Sequence, residues 1–219
     1  WRGGIKISFF TSHPKDASPE LFKAMRDLES VVKILHLPIQ SGSDKILKRM
    51  NRKYTVAKYK KLAADYRKIV KDGNLSGDII VGFPGETEQD FQQTLDVIEL
   101  VQFDSSYSFI YSPRPGTQAA LMEDPESYEN KLRKLKLLQT LQDEITTSQL
   151  KAWEGKKVEV LLDGPSHADP KKLQGRTSQN LLVNLNDESE LLQPGMTVCA
   201  RISESARFTL KGDLCRQPD

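Results

Sequence analysis

Short apolar runs alternate with amphipathic stretches through the first two-thirds of the chain. Ile5 to Phe10, Val31 to Leu37, Leu75 to Val81 and Ser106 to Tyr111 read as strands, each a near-continuous apolar run of the kind expected when both faces of a sheet are covered. Helical spacing lies between them. Ser18-Pro19 opens a helix with Leu21, Phe22, Met25 and Leu28 on one face. Ser43 to Met50 is a short helix. Thr55 caps a longer one carrying Val56, Tyr59, Leu62, Ala63, Tyr66, Ile69 and Val70. Thr87-x-x-Asp90 is close to a capping box and precedes Phe91, Leu95, Ile98 and Val101. Strand, helix, strand, helix predicts parallel pairing with right-handed crossovers, and so an α/β fold with ligands at the carboxyl ends of the strands.

After Pro125 a long helix runs to about Trp153, with Leu132, Leu135, Leu138, Leu141 and Ile145 as its stripe. The pattern then changes. Lys157 to Leu162, Leu173 to Arg176, Leu181 to Leu185, Val198 to Ser203 and Phe208 to Leu210 read as short strands, with turns at Asp163-Gly164-Pro165 and Pro194-Gly195. They predict a small antiparallel β-barrel, OB-like, of the kind that often binds oligonucleotides. The expected domains are residues 1–150 and 151–219.

Composition narrows this little. The 219 residues are 37% hydrophobic and 28% charged, an ordinary globular balance. No apolar run approaches the roughly 18 residues that would suggest a membrane span. No basic-then-apolar leader follows Trp1, and a start upstream of Trp1 is expected because a natural start would give Met. Cys199 and Cys215 are too few for a secreted disulfide framework and read as free thiols in a reducing, cytoplasmic setting. His13, His36 and His167 are scattered, so no metal-ligand spacing appears. The net charge is only +2, but Asp44 to Lys71 holds eleven Lys or Arg against Asp44 and Asp65. That stretch is either a solvated helix face or a surface for phosphates.

Four strand ends carry candidate chemistry: Thr11 to Asp16, Pro38 to Asp44, Gly82 to Thr87 and Ser112 to Thr117. Glycine and proline in each allow close backbone approach to a ligand. Gln40, Ser41 and Ser43 offer groups suited to a ribose, and Arg114 could fork onto a carboxylate or phosphate. Taken singly, Gln40 to Ser43 could merely cap a helix, Gly82-x-x-Gly85 end a strand, and His13-Pro14 make a turn.

Ser12-His13-Pro14-Lys15-Asp16, His36 to Asp44, Asp78 to Thr87 and Tyr111 to Thr117 together resemble the radical S-adenosylmethionine methylthiotransferases. Within that family they are most similar to the tRNA enzymes that add a methylthio group to isopentenyladenosine beside the anticodon. The resemblance implies the rear part of a partial (β/α)6 radical SAM barrel, about four of its six strands, followed by a TRAM domain that binds RNA. It implies a cofactor rim of Gln40, Ser41, Ser43, Asp78 and Arg114. It further implies phosphate contacts at Arg176, Arg201 and Lys211, with Lys156 and Lys157 weaker.

The family's chemistry also needs two 4Fe–4S clusters, an electron donor and S-adenosylmethionine. The Cys-x-x-x-Cys-x-x-Cys loop that holds one cluster does not occur here, and Cys199 and Cys215 lie in the RNA module. This chain is therefore expected to bring no catalytic or metal-ligating residue and to be inactive alone, as a monomer with tRNA as partner and no membrane contact. Two other readings stand beside this one. One is a non-catalytic RNA-binding protein. The other is a methylthiotransferase for a ribosomal protein or another tRNA adenosine.

Overall fold

The computed structural model describes residues 7–10, 13–166, 169–170, 172–186 and 191–215. Its contacts divide the chain into two compact units. One holds Phe9–Leu28 and Ile34–Ile145; the other holds the described parts of Trp1–Ser8, Glu29–Lys33 and Thr146–Asp219.

The first unit runs α1 (Pro19–Asp27), β1 (Ile34–His36), α2 (Asp44–Arg49), α3 (Val56–Ile69), β2 (Asn74–Val81), α4 (Glu88–Val101) and β3 (Ser105–Ile110). A 3₁₀ turn at Gln118–Leu121 and α5 (Tyr128–Lys151) follow. The sheet is parallel in the order β1-β2-β3. Local chemistry sets the helix starts. Ser18, Ser43, Thr55 and Thr87 each accept a backbone N–H into the first turn, and Thr87 with Asp90 completes the capping box. Leu35, Ile79 and Val81 from the sheet, Tyr59, Leu62 and Tyr66 from α3, and Phe91 and Ile98 from α4 form the core. Phe22 of α1 meets Tyr66 edge-on at 5.4 Å.

Three expectations are corrected. Of the expected strand Ile5 to Phe10, residues 5 and 6 lie outside the described residues, and Ile7 forms only a single parallel bridge to Val31. The run Val31 to Leu37 shortens to three residues of strand. In α5 the buried face takes only Leu138 and Ile145 from the leucine stripe. Lys131, Lys134, Leu138, Gln142 and Ile145 are buried, while Leu132, Leu135 and Leu141 are only half-buried. Gln142 Nε2 donates to the Phe103 carbonyl (2.8 Å), and both lysines are ion-paired, so the polar side faces in because its partners are there.

The second unit is a closed five-stranded barrel in the order β4-β5-β6-β8-β7: β4 (Lys157–Pro165), β5 (Leu173–Arg176), β6 (Leu182–Asn186), β7 (Thr197–Ser205) and β8 (Leu210–Leu214). Val160, Leu162, Val183, Leu185, Ala200, Ile202 and Leu210 fill it, with Leu150 from the end of α5. The barrel is mixed rather than wholly antiparallel. β6 and β8 run parallel, a long-range pairing that strand patterning does not reveal. The last strand also lies beyond its expected place, because Ala206 to Thr209 form a turn that leaves Phe208 exposed.

Candidate active-site rim and nucleic-acid face

Parallel register puts His36, Ser76 and Ser105 in one row across the sheet, Asp78 beside Tyr107, and Ile80 beside Phe109. Alternation along β2 sends Leu75, Ile79 and Val81 into the core and these rows to the opposite face. That face is open: Tyr107 is 56% exposed and Phe109 53%. His36 is buried there. Its Nδ1 lies 3.0 Å from Ser76 Oγ, and its Nε2 lies 3.4 Å from Asp78 Oδ2. The rings of Phe10 and Tyr107 stand 5.9 and 6.3 Å from the imidazole. An open face with a carboxylate, an imidazole and aromatic rings suits a flat polar heterocycle.

Beyond β1 the chain turns through Gln40, which is buried and left-handed, with φ of 73°. Its N–H donates to the Asp78 carbonyl (2.8 Å), and its carbonyl accepts from Ile80 N–H (2.9 Å). A glutamine held left-handed is strained, and strain of this kind gathers at ligand sites. Gln40, Ser41 and Asp78 are therefore brought together. Ser43 is committed elsewhere. Its hydroxyl caps α2 and donates to Asp90 Oδ1 (2.7 Å). Arg114 lies on the exposed turn after β3, where its carbonyl accepts from Thr117. Ser12 lies outside the described residues. His13 makes a turn, and its ring meets Tyr54 edge-on at 5.5 Å. Tyr54 donates to the Ile39 carbonyl (2.9 Å), tying that loop to the rim. Burial and the neighbouring Arg52 hold His13 below its ordinary value, and burial pushes Tyr54 up to about 12.

Two polar clusters that the motifs did not announce brace the rim. Asp90 accepts from Ser43, Lys45 and Thr87, joining the starts of α2 and α4. Burial alone would raise its pKa, but these hydrogen bonds and Lys45 hold it well below the usual carboxylate range. Its stabilising contribution is therefore full above that range and is lost as pH falls through the depressed folded value. Asp90→Asn should cost about 2 kcal/mol at neutral pH, and the gap to wild type should close in acid. Urea titrations at both pH values test this; an unchanged gap in acid would contradict it.

The second cluster holds the loop after β2. Glu86 Oε2 accepts from Gly82 N–H (2.8 Å) and lies 3.3 Å from the Lys134 ammonium, which also pairs with Glu126 (2.7 Å). The Glu86 and Lys134 side chains are each 1% exposed. Burial holds Glu86 above the usual carboxylate range.

On the barrel, Lys157 and Arg201 stand opposite each other on β4 and β7, both exposed. Arg201 donates to the Gly155 carbonyl (3.0 Å), and the Lys156 ammonium sits 4.8 Å from the Trp153 ring centroid. Arg176 is paired with Asp163 (3.3 Å) and Lys211 with Glu204 (2.8 Å). Surface pairs of this kind are weak enough to exchange for phosphate. In the basic stretch, Lys45, Lys61 and Arg67 are paired with Asp90, Asp65 and Asp104.

Among the described residues no three His, Cys, Asp or Glu side chains come together to hold a metal ion. Among them, too, no helix is long and apolar enough to cross a membrane.

The chain is 46% identical over 209 residues to the tRNA-2-methylthio-N(6)-dimethylallyladenosine synthase of Thermoanaerobacter sp. (strain X514), covering 95% of this chain and 44% of that protein. It is 42% identical over 212 residues to the synthase of Geobacillus kaustophilus (strain HTA426), covering 97% and 40%. The chain thus spans less than half the length of these curated relatives. Coproporphyrinogen III oxidase from Escherichia coli, a radical SAM enzyme, shares the fold at a TM-score of 0.55 and 14% identity, over 79% of this chain and 46% of that one. Residues 2–98 match the Radical SAM superfamily and residues 151–215 the TRAM domain, in that order along the chain.

Proposed function

We propose that this chain is the cofactor-rim and RNA-gripping part of a tRNA methylthiotransferase acting on isopentenyladenosine. The observation that carries the reading is similarity along 95% of the chain to synthases of that name, over a fold that opens a strained, polar rim. Gln40, Ser41 and Asp78 suit S-adenosylmethionine: a partly exposed carboxylate and a buried amide are what a ribose and an ammonium group need. Arg114, on its exposed turn, would reach the methionine carboxylate. When bound and reduced, that cofactor supplies a radical able to abstract hydrogen from an unactivated carbon.

The residues described hold no ligand set for an iron–sulfur cluster, so this chain binds and positions while catalysis needs cysteines it does not carry. The rest of the whole enzyme's setting, cytoplasmic and supplied by an electron donor, with a monomeric protein, belongs to the same proposal.

The grip on RNA falls to Lys157 and Arg201, with Lys156, Arg176 and Lys211 around them. Lys157→Glu with Arg201→Glu should weaken binding of a tRNA anticodon stem-loop by at least about tenfold. It should also lower the salt slope of log K by about one per lost phosphate contact. Fluorescence anisotropy across a salt series reads both. Unchanged affinity and slope would remove the barrel face from the RNA site.

A further inference from the structure

We propose that Cys199 and Cys215 form a reversible disulfide site on the barrel, beside the Lys157–Arg201 pair of β4 and β7. The two residues lie one step beyond the pair of β7 and β8 in which Ala200 stands opposite Leu214. The Cys215 N–H donates to the Cys199 carbonyl (2.9 Å), which continues the antiparallel ladder by one residue and puts both side chains on one face. Their sulfurs stand 2.7 Å apart, both thiols free. Cys199 is exposed and Cys215 partly so, and no other described cysteine competes. Neither fills the barrel core. Nothing in the packing therefore requires cysteine at either position, and the chemistry left to the pair is their own bond.

The bond would close a loop from β7 to the end of β8, the strand that seals the barrel against β6. In the reaction, the Cys215 thiolate attacks a low-molecular-weight disulfide such as oxidised glutathione and expels one glutathione thiolate. The Cys199 sulfur, deprotonated, then displaces the second glutathione. Two protein thiols give up two protons and two electrons, and oxidised glutathione leaves as two reduced molecules. Closing a loop of this size constrains the unfolded chain and raises the melting temperature of the barrel by about 10 °C.

The test incubates the 219-residue chain with oxidised glutathione, alkylates the remaining thiols, and reads intact mass and a non-reducing peptide map. The expected result is one Cys199–Cys215 cross-link and no alkylation at either residue. Melting should shift upward, with dithiothreitol reversing the shift and Cys199→Ser or Cys215→Ser abolishing it. Because Cys199 is exposed, its serine variant retains the fold. Stable glutathione adducts on each cysteine, linked dimers, or two thiols that stay open to alkylation would each overturn the proposal.

Discussion

Lys134→Met should destabilise the first unit by about 3–5 kcal/mol, the largest effect expected from a single side chain in this chain. The substitution keeps the aliphatic volume and removes only the ammonium. What remains is Glu86, 1% exposed, and Glu126, 16% exposed, with no cation between them. Glu86 already sits above the usual carboxylate range because of burial, so its ionised form loads the fold at neutral pH and is relieved as pH falls toward its folded value. Without Lys134 that load grows. The deficit of Lys134→Met relative to wild type should therefore be greatest at neutral pH and shrink on acidification. Adding Glu86→Gln and Glu126→Gln should recover most of the loss, since a glutamine can still accept from Gly82 N–H. Urea unfolding of the single and triple variants decides it. A single-variant cost below about 1 kcal/mol would show that water already reaches the cluster.

Gly42→Ala should cost about 3 kcal/mol or more, and for a different reason. A Cβ at Gly42 would stand 2.4 Å from the Gln93 carbonyl oxygen and from Thr94 Cα, and 2.7 Å from Thr94 N. These are backbone atoms of α4 and cannot swing aside as a side chain could. The same approach lets Gly42 N–H donate to Thr94 Oγ1 (2.9 Å), so the variant loses a buried hydrogen bond as it pushes the elements apart. Gly116 supplies the control. Its φ is 81°, but nothing lies within 4 Å of its would-be Cβ, so Gly116→Ala should cost only about 1 kcal/mol of backbone strain. Amide exchange in α2 and α4 would show whether the damage is local to that junction. Equal costs at the two glycines would mean that packing at Gly42 is not the constraint.

The parts legible in the sequence were those decided by near neighbours. Ser18, Ser43, Thr55 and Thr87 announced their helices because a cap and its N–H are three residues apart. The strand-end motifs were legible as the places where the chain must turn, and Gln40 and Asp78 do meet there. The inward side of α5 was legible only at Leu138 and Ile145. Leucines suggested one face, but Glu86 and Glu126 called for lysines on another, and Glu86 is 48 residues from Lys134. His36, Tyr107 and Phe109 were hidden for a related reason. They share a face only through register between separate strands, and a strand read by itself does not show which residues will stand in one row. The nearness of Cys199 to Cys215 likewise depends on β7 and β8 pairing. Of the first predicted strand, Ile5 to Phe10, the described residues show one bridge, at Ile7.

The parallel pairing of β6 with β8 has a consequence for the protein while it is being made. β7 is synthesised between β6 and β8, and β8 is the last of the five barrel strands to emerge. Until Leu214 has left the ribosome, β6 and β7 each present an unpaired edge, and a neighbouring nascent chain carries the same two edges. Emergence of β8 is thus the moment at which this barrel stops being a template for its own copies.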